Sequence, residues 1–98
     1  MLFVIRFTDD PERREVRDKN RELHLAWLAE RKNTVLVAGS LRADLGSNPV
    51  GAFWVVEAGS REEVENLYKT DPFWASGLRK GVEIFHWSKA FPHQQALV

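Results

Sequence analysis

Residues 52–69 read AFWVVEAGSREEVENLYK, and two periods meet in them. The first seven residues, AFWVVEA, are aromatic and β-branched and suit a pleated strand. Ser60 and Glu63 then form an S-x-x-E capping box, in which each side chain satisfies a free backbone N–H of a new helix; that helix runs to about Lys69. Downstream, residues 81–88, GVEIFHWS, form another strand, so the unit is strand, helix, strand. Between them Asp71 and Pro72 open one more short helical turn, which Gly77 closes. Upstream the same unit occurs once before: a strand over residues 2–8, a helix from Pro11 to about Arg31, and a strand over residues 34–41, TVLVAGSL. Lys32 and Asn33 end that first helix, with Asn33 suited to a left-handed cap. The stretch RADLGSNPVG at 42–51 is a loop. Two β-α-β units in series predict an α+β fold: a ferredoxin-like βαββαβ sandwich with a four-stranded antiparallel sheet and helices on one face.

The opposite sheet face needs a cover. Strands one and four are apolar on both sides, with Leu2 and Val4 against Phe3, Ile5 and Phe7, and Val82 and Ile84 against Phe85 and Trp87. The expected cover is a second copy of the chain, sheet against sheet, giving a homodimer or higher homo-oligomer. The 98 residues make a single domain, 1–98, with residues 92–98 a tail that is either mobile or packed on a partner. Lysine plus arginine and aspartate plus glutamate each number 14, so the net charge is zero, which argues against a nucleic-acid binder. No apolar run approaches a membrane span of roughly 20 residues. There is no cysteine, which removes disulfides and thiolate chemistry and favours a cytoplasmic protein.

Among residues able to carry chemistry, His24 comes first. Val16, Asn20, Leu23, His24, Trp27 and Leu28 share one arc of the first helix, so His24 lies on or beside its sheet-packed face. Two readings are open: a space-filling, partly buried histidine, or a general base that exchanges a proton near neutral pH. Asp71 caps the turn at Phe73 or Trp74, and both the cap and the helix dipole favour its ionised form. Such a carboxylate is a poor proton donor but a good orienter of a histidine, so cap and catalytic partner are compatible roles. Arg6, inside an apolar strand, either pairs with a carboxylate or holds an anionic substrate as a bidentate fork. Phe53, Trp54, Phe73 and Trp74 are core residues by default, of which Phe73 is the candidate pocket wall. Three scattered histidines without a clustered motif make a poor metal site, and the glycines form no nucleotide-binding loop.

RELH at 21–24, VAGSL at 37–41 and DPFWASGL at 71–78 resemble the YciI-like (YCII-related) family over roughly residues 1–91. The resemblance rests on Arg-x-x-His on helix one, an Ala-Gly after strand two, and Asp-Pro-aromatic followed by Gly after helix two. It implies membership of the dimeric α/β barrel group and a site built around His24 and Asp71, with no cofactor. The candidate substrate-binding residues are Gly39 and Ser40 of the Ala-Gly stretch, with Arg6 and Phe73. Two departures stand out: Ser40 replaces a frequent proline, and Lys32-Asn33 replaces a frequent glycine at the end of helix one. Ser40 adds a hydroxyl beside the expected pocket. Two functions remain open. One is a cofactor-independent enzyme that moves a proton or eliminates a group from a small, aromatic or unsaturated acid. The other is a non-catalytic module that binds a small ligand. Only the enzyme needs His24 within hydrogen-bond reach of both Asp71 and a ligand atom.

Overall fold

The computed structural model describes all 98 residues. Four strands alternate with helices in the predicted order: β1 (Leu2–Asp9), a 3-10 turn (Pro11–Arg13) running into α1 (Arg14–Glu30), β2 (Val35–Leu41), β3 (Gly51–Glu57), α2 (Arg61–Tyr68), α3 (Pro72–Ala75) and β4 (Arg79–Trp87). The strands form one sheet in the order β2-β3-β1-β4, every neighbour antiparallel, which is the ferredoxin-like α+β arrangement. Ser60 accepts from the Glu63 amide at 3.2 Å, so the N-cap forms at its predicted place, while the Glu63 carboxylate accepts from the amide of Gly59, one residue before the cap, at 2.8 Å rather than from Ser60 itself. Gly77 closes α3 with φ of 85°, a left-handed conformation that glycine adopts without steric cost.

Register decides what each sheet face carries. Phe3, Ile5 and Phe7 pair with Val56, Trp54 and Ala52 on one side and with His86, Ile84 and Val82 on the other. This is the helix-covered face. Phe3, Ile5, Trp54 and Val56 are completely buried there, under Trp27 from α1 and Val64 and Tyr68 from α2. Phe7 meets Trp54 edge-on at 4.8 Å between ring centres and Tyr68 at 5.6 Å. Edge-to-face pairs of this kind add to the value of their buried area.

No helix covers the opposite face. Its residues include Leu2, Val4, Phe53, Phe85 and Trp87, the last three 41%, 48% and 45% exposed. Arg6 lies among them, ion-paired with Glu83 on β4. The apolar pattern on both sides of the sheet is therefore real, and so is the lack of a cover on one side within a single chain.

Two local expectations are corrected. The end of α1 uses no left-handed residue: the Arg31 side chain bonds the Trp27 carbonyl at 3.1 Å, and tight turns onto the Arg31 carbonyl finish the helix. Leu23 is 62% exposed, because α1 packs against α3 and is rolled so that His24 and Trp27 point inward and Leu23 sits at the margin.

Candidate active site

The site forms where α1 meets the start of α3. Asp71 is the N-cap of α3: its extended backbone turns the chain, and its Oδ1 accepts from the Phe73 amide at 3.2 Å. The Asp71 carbonyl takes the Trp74 and Ala75 amides, both at 2.9 Å. Next door, the Trp27 indole donates to the Thr70 hydroxyl at 3.1 Å, which ties α1 to the turn that carries Asp71. The same two elements then bring His24 Nδ1 to 2.6 Å from Asp71 Oδ1. Asp71 is 1% exposed and His24 8%.

This contact fixes the chemistry of the ring. A carboxylate accepts, so Nδ1 carries the hydrogen and donates, leaving the Nε2 lone pair free. A negative charge beside the ring stabilises the imidazolium that forms when Nε2 takes a proton. The plane of the imidazole is also fixed, since it stacks on Phe73 with 3.9 Å between ring centres and 14° between planes. Trp54 lies 6.3 Å away, nearly parallel. One carboxylate oxygen thus serves both as helix cap and as histidine partner.

A second polar group lies beside the dyad. Asp9, at the end of β1, receives Arg17 from α1 at 2.5 Å on one oxygen and Arg79 from β4 at 2.6 Å on the other. Arg79 reaches this place through a β-bulge. Thr8 pairs with Gly81, but Asp9 pairs with Arg79, so Lys80 is an extra residue in β4. The Arg79 side chain is 1% exposed and lies over the rings of Phe7 and Phe73, 4.7 and 5.2 Å from their centres. Burial lowers its pKa from the usual arginine value, while the hydrogen bond and charge of Asp9 oppose that shift. It remains a cation, as arginines in proteins do.

Above these groups opens a cavity of about 290 Å³, lined among others by His24, Phe73, Trp54, Gly39 and Ser40. This is the small end of the range for ligand sites. Of the residues singled out in the sequence, the structure brings His24, Gly39, Ser40 and Phe73 to the cavity, with Asp71 buried behind His24. Ser40 faces it from the helix side of β2, opposite Ala52. Arg6 is corrected: it lies on the uncovered sheet face, paired with Glu83 at 2.5 Å, and does not reach the cavity. Strand alternation makes this unavoidable, since Arg6 is out of phase with Ile5 and Phe7. Sequence reasoning missed Asp9, Arg17 and Arg79. The signal for Arg17 was present, because Arg17, Arg21, His24 and Leu28 recur at helical spacing and all line the cavity. No group of three His, Asp or Glu residues is placed to hold a metal, and no helix is long and apolar enough to cross a membrane.

Fold and site together define a small ferredoxin-like α+β protein with a buried histidine–aspartate pair beneath a small cavity. The chain belongs to the YCII-related domain family, whose model matches residues 1–88. Among solved structures it is similar to the 5-chloro-2-hydroxyhydroquinone dehydrochlorinase TftG from Burkholderia phenoliruptrix AC1100, in complex with 2,5-dihydroxybenzoquinone. The two are 35% identical with a TM-score of 0.82, over 90% of this chain and 94% of that one. A putative antibiotic biosynthesis monooxygenase from Bacteriodes thetaiotaomicron VPI-5482 matches at 17% identity and a TM-score of 0.58, over 99% and 95% of the two chains. SnoaB, a cofactor-independent oxygenase from Streptomyces nogalater, matches in a mutant form at 17% and 0.53, over 94% and 96%. The last two share the fold alone. No curated protein sequence matches the chain.

Proposed function

We propose that the protein is an acid–base enzyme acting on a small, hydroxylated aromatic or unsaturated acid, with His24 as general base and Asp71 as its orienting carboxylate. The observation that carries this reading is the 2.6 Å contact between His24 Nδ1 and the buried Asp71 oxygen, at the wall of a cavity sized for a small molecule. The similarity to a dehydrochlorinase that binds a hydroxylated quinone supports the substrate class. A non-catalytic binding module needs the cavity but not an oriented imidazole with a free Nε2.

In this reading Nε2 removes a proton from an acidic O–H or C–H of the ligand. The electron pair left behind moves into the conjugated system. It is either reprotonated at another atom, which is an isomerisation, or it expels a leaving group such as halide, which is an elimination. His24, now an imidazolium held by Asp71, gives the proton back to ligand or solvent. Phe73 and Trp54 offer flat apolar walls to a planar ring. The uncovered sheet face supports a homodimer as the working form, since a patch bearing Phe53, Phe85 and Trp87 is of the kind that marks protein interfaces.

The test is a turnover screen with hydroxylated aromatics and their chlorinated derivatives, 5-chloro-2-hydroxyhydroquinone first, followed by chloride release and ring absorbance. Activity that falls by about 10²–10⁴ in His24→Ala is expected for a general base. A variant as active as the wild type removes His24 from the chemistry.

A further inference from the structure

The sheet face that no helix covers carries one ion pair near its middle. Arg6 on β1 stands directly opposite Glu83 on β4, with the Val4–Phe85 pair on one side and the Thr8–Gly81 pair on the other. Across the other neighbouring strand, Arg6 faces Phe53. The further carboxylate of this face, Glu57, lies at its corner beside Leu2 and is held by the chain's own amino group at 2.9 Å. The Arg6 fork closes on a single oxygen: Nε and Nη2 both donate to Glu83 Oε1, at 2.8 and 2.5 Å. Guanidinium and carboxylate often meet through two nitrogens and two oxygens. Here Nη1 of Arg6 and Oε2 of Glu83 are left over, a donor and an acceptor side by side. The side chains are 55% and 46% exposed, and an exposed pair of this kind adds little to the stability of its own fold. Its place matters more. A charged pair inside an apolar patch is costly to cover with any surface that leaves its spare donors and acceptor unfilled. A second copy of the chain fills them. Under two-fold symmetry each contact occurs twice in opposite senses, so the spare donor of one copy meets the spare acceptor of the other.

We propose that Arg6 and Glu83 fix the register of a homodimer joined through this face. Each Arg6 keeps its own Glu83 and also donates to the partner's Glu83, so that four side chains close a ring about the two-fold axis. This rests on the homodimer inferred above and adds what selects the partner and its placement. Val4, Phe85 and Trp87 supply apolar area, but attraction between apolar surfaces has little direction. Sliding one sheet by two residues along a strand still sets an apolar face on an apolar face, because side chains repeat every second residue. The slide does move each charged pair onto hydrocarbon, where its spare donors and acceptor are buried unfilled. The displaced dimer is disfavoured for that reason, and a single placement remains. An unrelated apolar surface is refused on the same ground. Polar groups inside an apolar interface set register in coiled coils by the same logic.

The test is sedimentation of the wild type, of Arg6→Glu and Glu83→Arg each alone, and of the two variants mixed in equal amounts. Arg6→Glu puts four carboxylates in the ring of its own dimer, and Glu83→Arg puts four guanidinium groups there. Each variant alone is expected to dimerise about a hundredfold or more weakly than the wild type, as like charges facing each other across an interface imply. The mixture restores two charges of each sign and is expected to form a heterodimer. Exchanging the charges within one chain, R6E with E83R, is expected to restore the homodimer. Both side chains are half exposed in the single chain, so the variants should fold, which their melting temperatures check. A wild-type dimer whose two single variants dimerise equally well would overturn the register role and leave the homodimer standing. Single variants that stay monomeric when mixed would also overturn it, because repulsion alone would then explain them. A monomeric wild type would remove the homodimer itself, and the register role with it.

Discussion

Asp71 is asked to do two things with one oxygen, and substitutions can separate them. Asp71→Ala removes the cap and should cost about 1 kcal/mol from that loss alone, read from chemical denaturation. Asp71→Asn keeps an oxygen for the Phe73 amide but loses the charge that holds the imidazole tautomer. It should be nearly as stable as the wild type and still lose activity. Nitrogen shifts of the His24 ring give a direct check: hydrogen on Nδ1 in the wild type, a mixture of tautomers in Asp71→Asn. The same Nδ1-protonated ring in both proteins would mean that the carboxylate does not choose the tautomer. Much of this was legible in advance. A capping Asp before Pro is a local signal, and His24 lies on a helical stripe, so each residue could be placed on its element. That they meet, across 47 positions of chain, is a tertiary fact that no local pattern encodes. Arg6 shows the converse, since its chemistry suited an anion site but its strand phase put it on the wrong face.

At the scale of elements, the strands and helices could be read because their periods are clean and their caps are explicit. Boundaries moved by a residue or two, as helix and strand ends do. The bulge in β4 was the hidden feature. Plain alternation from Val82 puts Lys80, not Arg79, opposite Asp9, and only the extra residue exchanges them. Nothing in the composition of RKGV announces it. A second constraint sits in the neighbouring strand. A methyl group on Gly51 would overlap the carbonyl oxygen of Phe7 on β1. Phe7 lies in a central strand, paired with Ala52 on one side and Val82 on the other, so its backbone cannot easily step aside. Gly51→Ala should therefore destabilise the fold by about 1–3 kcal/mol or more, measured by urea unfolding, whereas an ordinary strand glycine gains from the same change. Gly39 is such an ordinary position, with open space where a methyl would go, and is the natural control for the backbone effect.

For the whole molecule, the open sheet face makes the prediction. Sedimentation at micromolar concentration should give twice the mass of the chain. Phe85→Asp, which sets a charge beside Val4 in the middle of that face, should give a monomer that still folds. A wild-type monomer would leave Phe53, Phe85 and Trp87 without an explanation. The two-sided pattern of β1 and β4 made this face visible in the sequence; the identity of the partner is a matter of symmetry, which one chain does not carry.

The sheet keeps that face apart from the chemistry. His24, Asp71 and the cavity are on the helix side, and every residue of the dyad comes from the same chain. Two subunits joined through their open faces would therefore each hold a whole workshop, back to back with a wall between. A damaged copy assembled with a sound one would cost the pair half its output and no more. In genetic terms, lesions at His24 would be recessive, and only lesions that spoil the wall itself could poison a healthy partner.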